Sequence, residues 1–101
     1  MLNITSEITP TQRRFLRAQA HALNPVVMTG DAGLTENVVK EIELALSCHE
    51  LIKIKVQSGD KTVREAMLAE ICARTGAAAV QHIGKTLVVY RPAEKPKLKL
   101  P

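Results

Sequence analysis

The run Pro25-Val26-Val27-Met28-Thr29-Gly30-Asp31-Ala32-Gly33-Leu34-Thr35-Glu36 constrains the fold more than any other part of the chain. Val26, Val27 and Met28 form an apolar run too short for a helix and closed by Gly30, so they read as a short buried strand. Thr35 is a good helix N-cap, and Glu36 places a negative charge in the first turn, where the helix dipole favours it. Between strand and helix, Gly30 and Gly33 admit positive φ and let a partner approach the backbone with no Cβ in the way. A glycine loop feeding a helix N-terminus presents free N–H groups and a partial positive charge, which suits a phosphate. An ordinary βα turn has the same local sequence, so both readings stand for Gly30, Asp31, Ala32 and Gly33.

The flanking patterns turn this run into an architecture. Val38, Val39, Ile42, Ala45 and Leu46 recur at helical spacing, which predicts a helix from about Glu36 to Cys48. Leu51 to Val56 then alternates, with Ile52, Ile54 and Val56 on one side and Lys53 and Lys55 on the other, as in a half-exposed strand. Strand, helix and strand in this order imply a parallel crossover, whose functional end is where strands stop and helices start. Upstream, Thr9-Pro10-Thr11-Gln12 is a capping box with proline at the first helical position. The helix it opens runs to about Leu23, because Pro25 pushes Asn24 out of helical conformation. Leu16, Ala20 and Leu23 share one face of that helix. Arg13, Arg14, Arg17 and His21 fall mostly on another, as a basic stripe without acidic neighbours. The stripe is either a solvated face or a surface for phosphates.

Further along, Ser58-Gly59-Asp60 is a turn and Thr62-Val63-Arg64-Glu65 reads as a second capping box. Its helix turns Met67, Leu68, Ile71 and Cys72 inward and stops at Gly76. Ala77 to Ile83 and Thr86 to Arg91 are strands joined by the two-residue hairpin loop Gly84-Lys85. Lysine and proline dominate beyond Pro92, which predicts a mobile basic tail with nothing to pack. The order α-β-α-β-α-β-β implies a single-domain α/β sandwich with a four-stranded mixed sheet over residues 1–92, followed by the flexible tail 93–101.

Composition narrows the function. A chain of 101 residues, 46% hydrophobic and 24% charged, supports one ordinary globular core. Nothing in it approaches the ~20 apolar residues that span a bilayer. Met1 to Pro10 lacks a basic stretch followed by an apolar one, so no signal peptide is expected. Cys48 and Cys72 fall in helical apolar patterns and are expected to be reduced, packed thiols in a cytoplasmic protein. The net charge of +4 is modest but unevenly placed, with basic ends and an acidic stretch from Glu36 to Glu50.

No catalytic constellation emerges. Cys48 and His49, adjacent at a helix end, point in different directions and lack a third orienting group. His21, His49 and His82 have no metal-ligand spacing, and no phosphate-binding lysine motif or dinucleotide fingerprint follows the glycine loop. The expectation is a non-enzyme without cofactors. With Phe15 and Tyr90 as the only aromatics, base stacking on aromatic platforms is unavailable. Any nucleic acid would be met through its backbone and shape.

The residues so arranged resemble the CRM domain, the chloroplast RNA splicing and ribosome maturation module, in its bacterial stand-alone YhbY-type form. The resemblance is carried by Gln12-Arg13-Arg14, Leu16-Arg17, Ala20-His21 and Leu23-x-Pro25-Val26-Val27. It continues through Gly30-x-x-Gly33-Leu34-Thr35-Glu36, His49-Glu50-Leu51-Ile52-Lys53-Ile54-Lys55 and Thr75-Gly76-Ala77, and ends on Ile83-Gly84-Lys85-Thr86-Leu87-Val88-Val89-Tyr90-Arg91-Pro92. It implies a fold similar to the C-terminal domain of bacterial translation initiation factor 3. It also implies binding to rRNA in precursors of the large ribosomal subunit, through Gly30 and Gly33 and the basic face of the first helix. Asp31 departs from the basic or neutral residue typical after the first glycine, and its carboxylate would repel a phosphate seated there. Lys53, Lys55, Lys85 and the tail lysines are secondary candidates for RNA contact. The competing reading is a protein-interaction module that makes no contact with RNA.

Overall fold

Each helix starts where a side-chain oxygen can accept the backbone N–H groups its first turn leaves free. In the computed structural model, which describes residues 8–101, Thr9 Oγ1 accepts from Gln12 N and Gln12 Oε1 accepts from Thr9 N, both at 3.0 Å. This is the expected capping box, and it opens α1 (Pro10–Ala20). The signal-peptide expectation rests mostly on residues outside the described range. Thr35 Oγ1 accepts from Val38 N at 3.2 Å and opens α2 (Glu36–His49). The third cap is a correction. Asp60, not Thr62, opens α3 (Lys61–Thr75), its Oδ1 accepting from Thr62 N at 2.8 Å and Val63 N at 3.4 Å. A carboxylate satisfies two donors and faces the positive end of the helix dipole, which a threonine hydroxyl two residues later does less well.

The strands are β1 (Val27–Met28), β2 (Leu51–Lys55), β3 (Ala78–Ile83) and β4 (Thr86–Tyr90), in the spatial order β1-β2-β4-β3. β1 runs parallel to β2, with Val27 opposite Ile54, and the other pairings are antiparallel. The crossover through α2 and the β3–β4 hairpin are therefore both present, with Gly84 at φ +54° in the hairpin loop. α1 stops at Ala20, short of the expected Leu23, which is exposed.

Alternation along the strands builds two cores. Val27, Ile52, Ile54, Leu87 and Val89 face α2 and α3, where they pack with Ile42, Leu46 and Ile71. Leu51, Val80, Val88 and Tyr90 face the other way and pack under Leu16 and Ala20 of α1. The buried reading of Val26-Val27-Met28 is corrected in part: Val27 is buried, whereas Val26 and Met28 are 50% and 67% exposed. β1 is an edge strand, and α1 does not reach over its outward-facing residues.

Residues 93–101 do pack, which corrects the expectation that they find no partner. Leu98 and Leu100 lie half-buried against the α1 core, and Gln12 Nε2 donates to Pro101 O at 3.2 Å. The anchor is Glu50, the single residue between α2 and β2, held at φ +66° and almost wholly buried. Its carboxylate accepts from the backbone N–H of Ala93 (2.8 Å), Lys97 (3.1 Å) and Leu98 (2.8 Å). Burial pushes this carboxyl's pKa up, but those donors and the charge of Lys97 outweigh it, and the net shift is downward.

Candidate nucleic-acid interface

α1 presents two flanks, and its helical period decides which residues go where. Gln12 touches the end of the tail, and Gln19 lines a cavity with Leu98, so the tail runs along the Gln12–Gln19 flank. A rotation of 100° per residue puts Arg13, Arg17 and His21 on the opposite flank, with Arg14 beside them. Arg14, Arg17 and His21 are exposed. Arg13 is half-buried, its Nε donating to Ala79 O at 3.3 Å, so it is partly a structural strut.

The sheet beneath continues the positive charge. Lys53 and Lys55 project to the α1 side of β2, because Ile52 and Ile54 occupy the other side. Lys53 is half-buried and Lys55 exposed. Lys85 is exposed in the hairpin, where its carbonyl accepts from Val56 N at 2.8 Å. Lys55 and Lys85 line one cleft with Met28, Thr29 and Gln57. A second cleft shares Thr29 and Gln57 and is walled by Gly30, Asp31 and Gly33 on one side and Ser58, Val63 and Met67 on the other. The loop and two lysines thus share a groove at the C-terminal ends of β1 and β2. The arginine stripe stands toward the opposite ends of those strands, where Leu51 meets α1, and Lys53 lies between.

In the loop itself, Gly33 takes φ +73°, whereas Gly30 does not have positive φ, contrary to expectation. Gly33 N donates to Gly30 O at 3.0 Å, closing the turn. A Cβ built on either glycine meets nothing within 4 Å. Gly30, Asp31 and Ala32 are exposed, so the turn is uncovered.

Sequence reasoning passed over two residues here. Thr29 is buried; its N donates to Lys55 O at 2.9 Å and its Oγ1 accepts from Gln57 N at 3.4 Å, pinning the base of the loop to the end of β2. Arg64 donates from Nη1 to Ser58 O (3.0 Å) and from Nε to His82 Nε2 (3.1 Å), bracing the second wall of the groove. Thr29 carries no local signal because its partners are distant in sequence, and Arg64 joins one near residue, Ser58, to a distant one, His82. The expectation of two packed thiols is also corrected. Cys72 is buried, with its thiol pKa raised by burial, but Cys48 is exposed. Among the described residues no cluster of His, Cys, Asp or Glu could hold a metal, and no helix is long and apolar enough to cross a membrane.

The CRS1 / YhbY (CRM) domain profile matches residues 8–91, which span α1 through β4 and both walls of the groove. The chain belongs to the CRM domain family. An RNA-binding protein of Haemophilus influenzae is 50% identical to this CRM domain over 94 residues, covering 93% of this chain and 95% of that one. "Probable RNA-binding protein YqeI" of Bacillus subtilis is 34% identical, over 93% of this chain and 99% of its own length. In three dimensions the CRM domain superposes on a Staphylococcus aureus protein, solved in solution as a candidate RNA-binding protein. The TM-score is 0.84 at 32% identity, covering 94% of this chain and 100% of that one.

Proposed function

We propose that this CRM domain binds RNA through the α1 side of its sheet, as a non-catalytic cytoplasmic protein acting on rRNA in precursors of the large ribosomal subunit. One observation carries the reading. Arg13, Arg14, Arg17, His21, Lys53 and Lys55 project to one side, and neither α1 nor the strand residues facing that side include a carboxylate. Unneutralised cations spread over a surface are what a phosphate backbone rewards, through release of its condensed counterions. The glycine loop adds an uncovered turn at the end of that surface, where a sugar–phosphate chain can come close. Asp31 at its tip argues for contact with sugars or bases there in preference to a seated phosphate. The names of the curated relatives support the RNA reading, and the ribosomal one follows from the resemblance to the YhbY-type proteins.

The test is a salt titration of RNA affinity for the wild type and for Arg14→Glu/Arg17→Glu, which leaves the strut Arg13 in place. Wild-type affinity should fall by orders of magnitude between about 50 and 200 mM salt, with a shallower slope for the variant. Absence of RNA binding at low salt would move the reading to a protein-interaction module.

A further inference from the structure

We infer that the same side of the sheet holds unpaired nucleotides, whose bases rest on Met28 and Ile83 while Lys55 and Lys85 take the adjoining phosphates. The inference rests on the RNA reading above and narrows it to RNA with single-stranded residues. Its basis is one lateral row. Met28 lies opposite Lys55, Lys55 opposite Thr86, and Thr86 opposite Ile83, so the four side chains share a face across all four strands. At about 4.8 Å between strands the row is roughly 14 Å wide, room for two or three nucleotides. α1 packs on the rows nearer Leu51, Val80 and Tyr90 and stops short of this one. Met28 is therefore 67% exposed and Ile83 58%.

Single exposed apolar side chains need no explanation, but these two share a row with Lys55, and no strand residue facing that side carries a carboxylate. Met28 also lines the cleft that contains Lys55 and Lys85. A paired RNA helix would use only the lysines, since it offers phosphates and 2′-hydroxyls outward and keeps its bases stacked inside. Splayed bases would use the whole row. A thioether is polarizable and adapts to the face of a flat ring, so Met28 supplies a base contact that the sparse aromatics cannot.

The experiment compares two RNA probes of equal phosphate number, one a fully paired duplex and one an unstructured oligonucleotide of mixed sequence. Wild type should prefer the unstructured probe. Met28→Ser/Ile83→Ser should bind that probe about tenfold more weakly and the duplex unchanged, with an unaltered salt slope, because no phosphate contact is lost. Both positions are exposed, so the melting temperature should hold within about 3 °C and confirm folding. Equal binding of both probes by wild type, no change in the variant, or the same loss on both probes would overturn the inference and leave RNA binding standing. Wild type binding neither probe would remove the RNA reading itself.

Discussion

The two faces of the sheet contain similar residues and use them differently. Under α2 and α3 lies the larger core, and two of the three arginines on that side are ion-paired, Arg64 being held by Ser58 O and His82 instead. Arg74 Nη2 is 2.7 Å from Glu36 Oε2, and Arg91 Nη1 is 2.7 Å from Glu43 Oε1 and donates to Thr75 O at 2.8 Å. Under α1 the core is smaller, and among the described residues Arg14 and Arg17 make no ion pair. α2 and α3 together carry Glu36, Glu41, Glu43, Glu65 and Glu70 against Lys40, Lys61, Arg64 and Arg74; α1 carries three arginines and no acid. The modest net charge is therefore concentrated on one side. A cation left in water costs the fold almost nothing, while pairing it would remove it from any polyanion. The thick face supplies stability, and the thin face keeps its cations unpaired, as the proposed RNA contact requires.

The thin face is not self-sufficient, and this gives the largest expected effect. One short helix covers it incompletely, and the tail finishes the job through Leu98, Leu100 and the Glu50 carboxylate. Glu50→Ala removes the acceptor for three backbone donors and should lower stability by about 3 kcal/mol, or roughly 15 °C in Tm. Glu50→Gly should be about 1 kcal/mol less damaging, because it relieves the positive φ that a side chain disfavours. Unfolding melts of the two variants check both numbers. A loss below about 1 kcal/mol in Glu50→Ala would mean that α1 holds its face unaided.

The same carboxylate sets a pH dependence. Its folded pKa lies below the ordinary value of 4.5. The contribution is therefore complete above the unfolded value and is lost as pH falls through the folded one. The Tm advantage of wild type over Glu50→Gln should shrink as pH drops from about 5 to about 3, whereas a constant gap would assign the effect to shape alone.

Matched charge reversals test the contrast between faces next. Arg14→Glu/Arg17→Glu should weaken RNA binding by about a hundredfold at 100 mM salt, and Lys40→Glu/Lys61→Glu by less than about threefold. All four residues are exposed, so stability should move by less than about 1 kcal/mol in either variant. Equal losses would show that total charge matters and its placement does not.

What could be read in advance was local. The Thr9–Gln12 box, the Thr35 cap, the alternation of Ile52 and Ile54 with Lys53 and Lys55, and the Gly84 hairpin all follow from residues within a few positions of one another. What escaped depends on chain far away. Glu50 meets partners 43 to 48 residues on, and nothing near it announces that its carboxylate will be buried. Strand order made β1 an edge, which apolar content alone does not reveal. The candidate surface was legible as a list of cations. That Arg13 serves as a strut while Arg14 and Arg17 stay exposed depends on how α1 is rotated against the sheet.

The smallest effects separate the two glycines of the loop. Gly33 sits at φ +73°, so Gly33→Ala should cost about 1 kcal/mol even though its Cβ would meet open space. Gly30 has neither a positive φ nor a neighbour within 4 Å of a built Cβ, so Gly30→Ala should leave Tm unchanged within about 2 °C. Nothing inside the fold requires glycine at position 30. If the loop lies against RNA, the added methyl intrudes on the partner, and Gly30→Ala should weaken binding by about three- to tenfold at constant stability. Unchanged affinity would confine the interface to the cations of α1 and the sheet and leave the glycine loop a connection between β1 and α2.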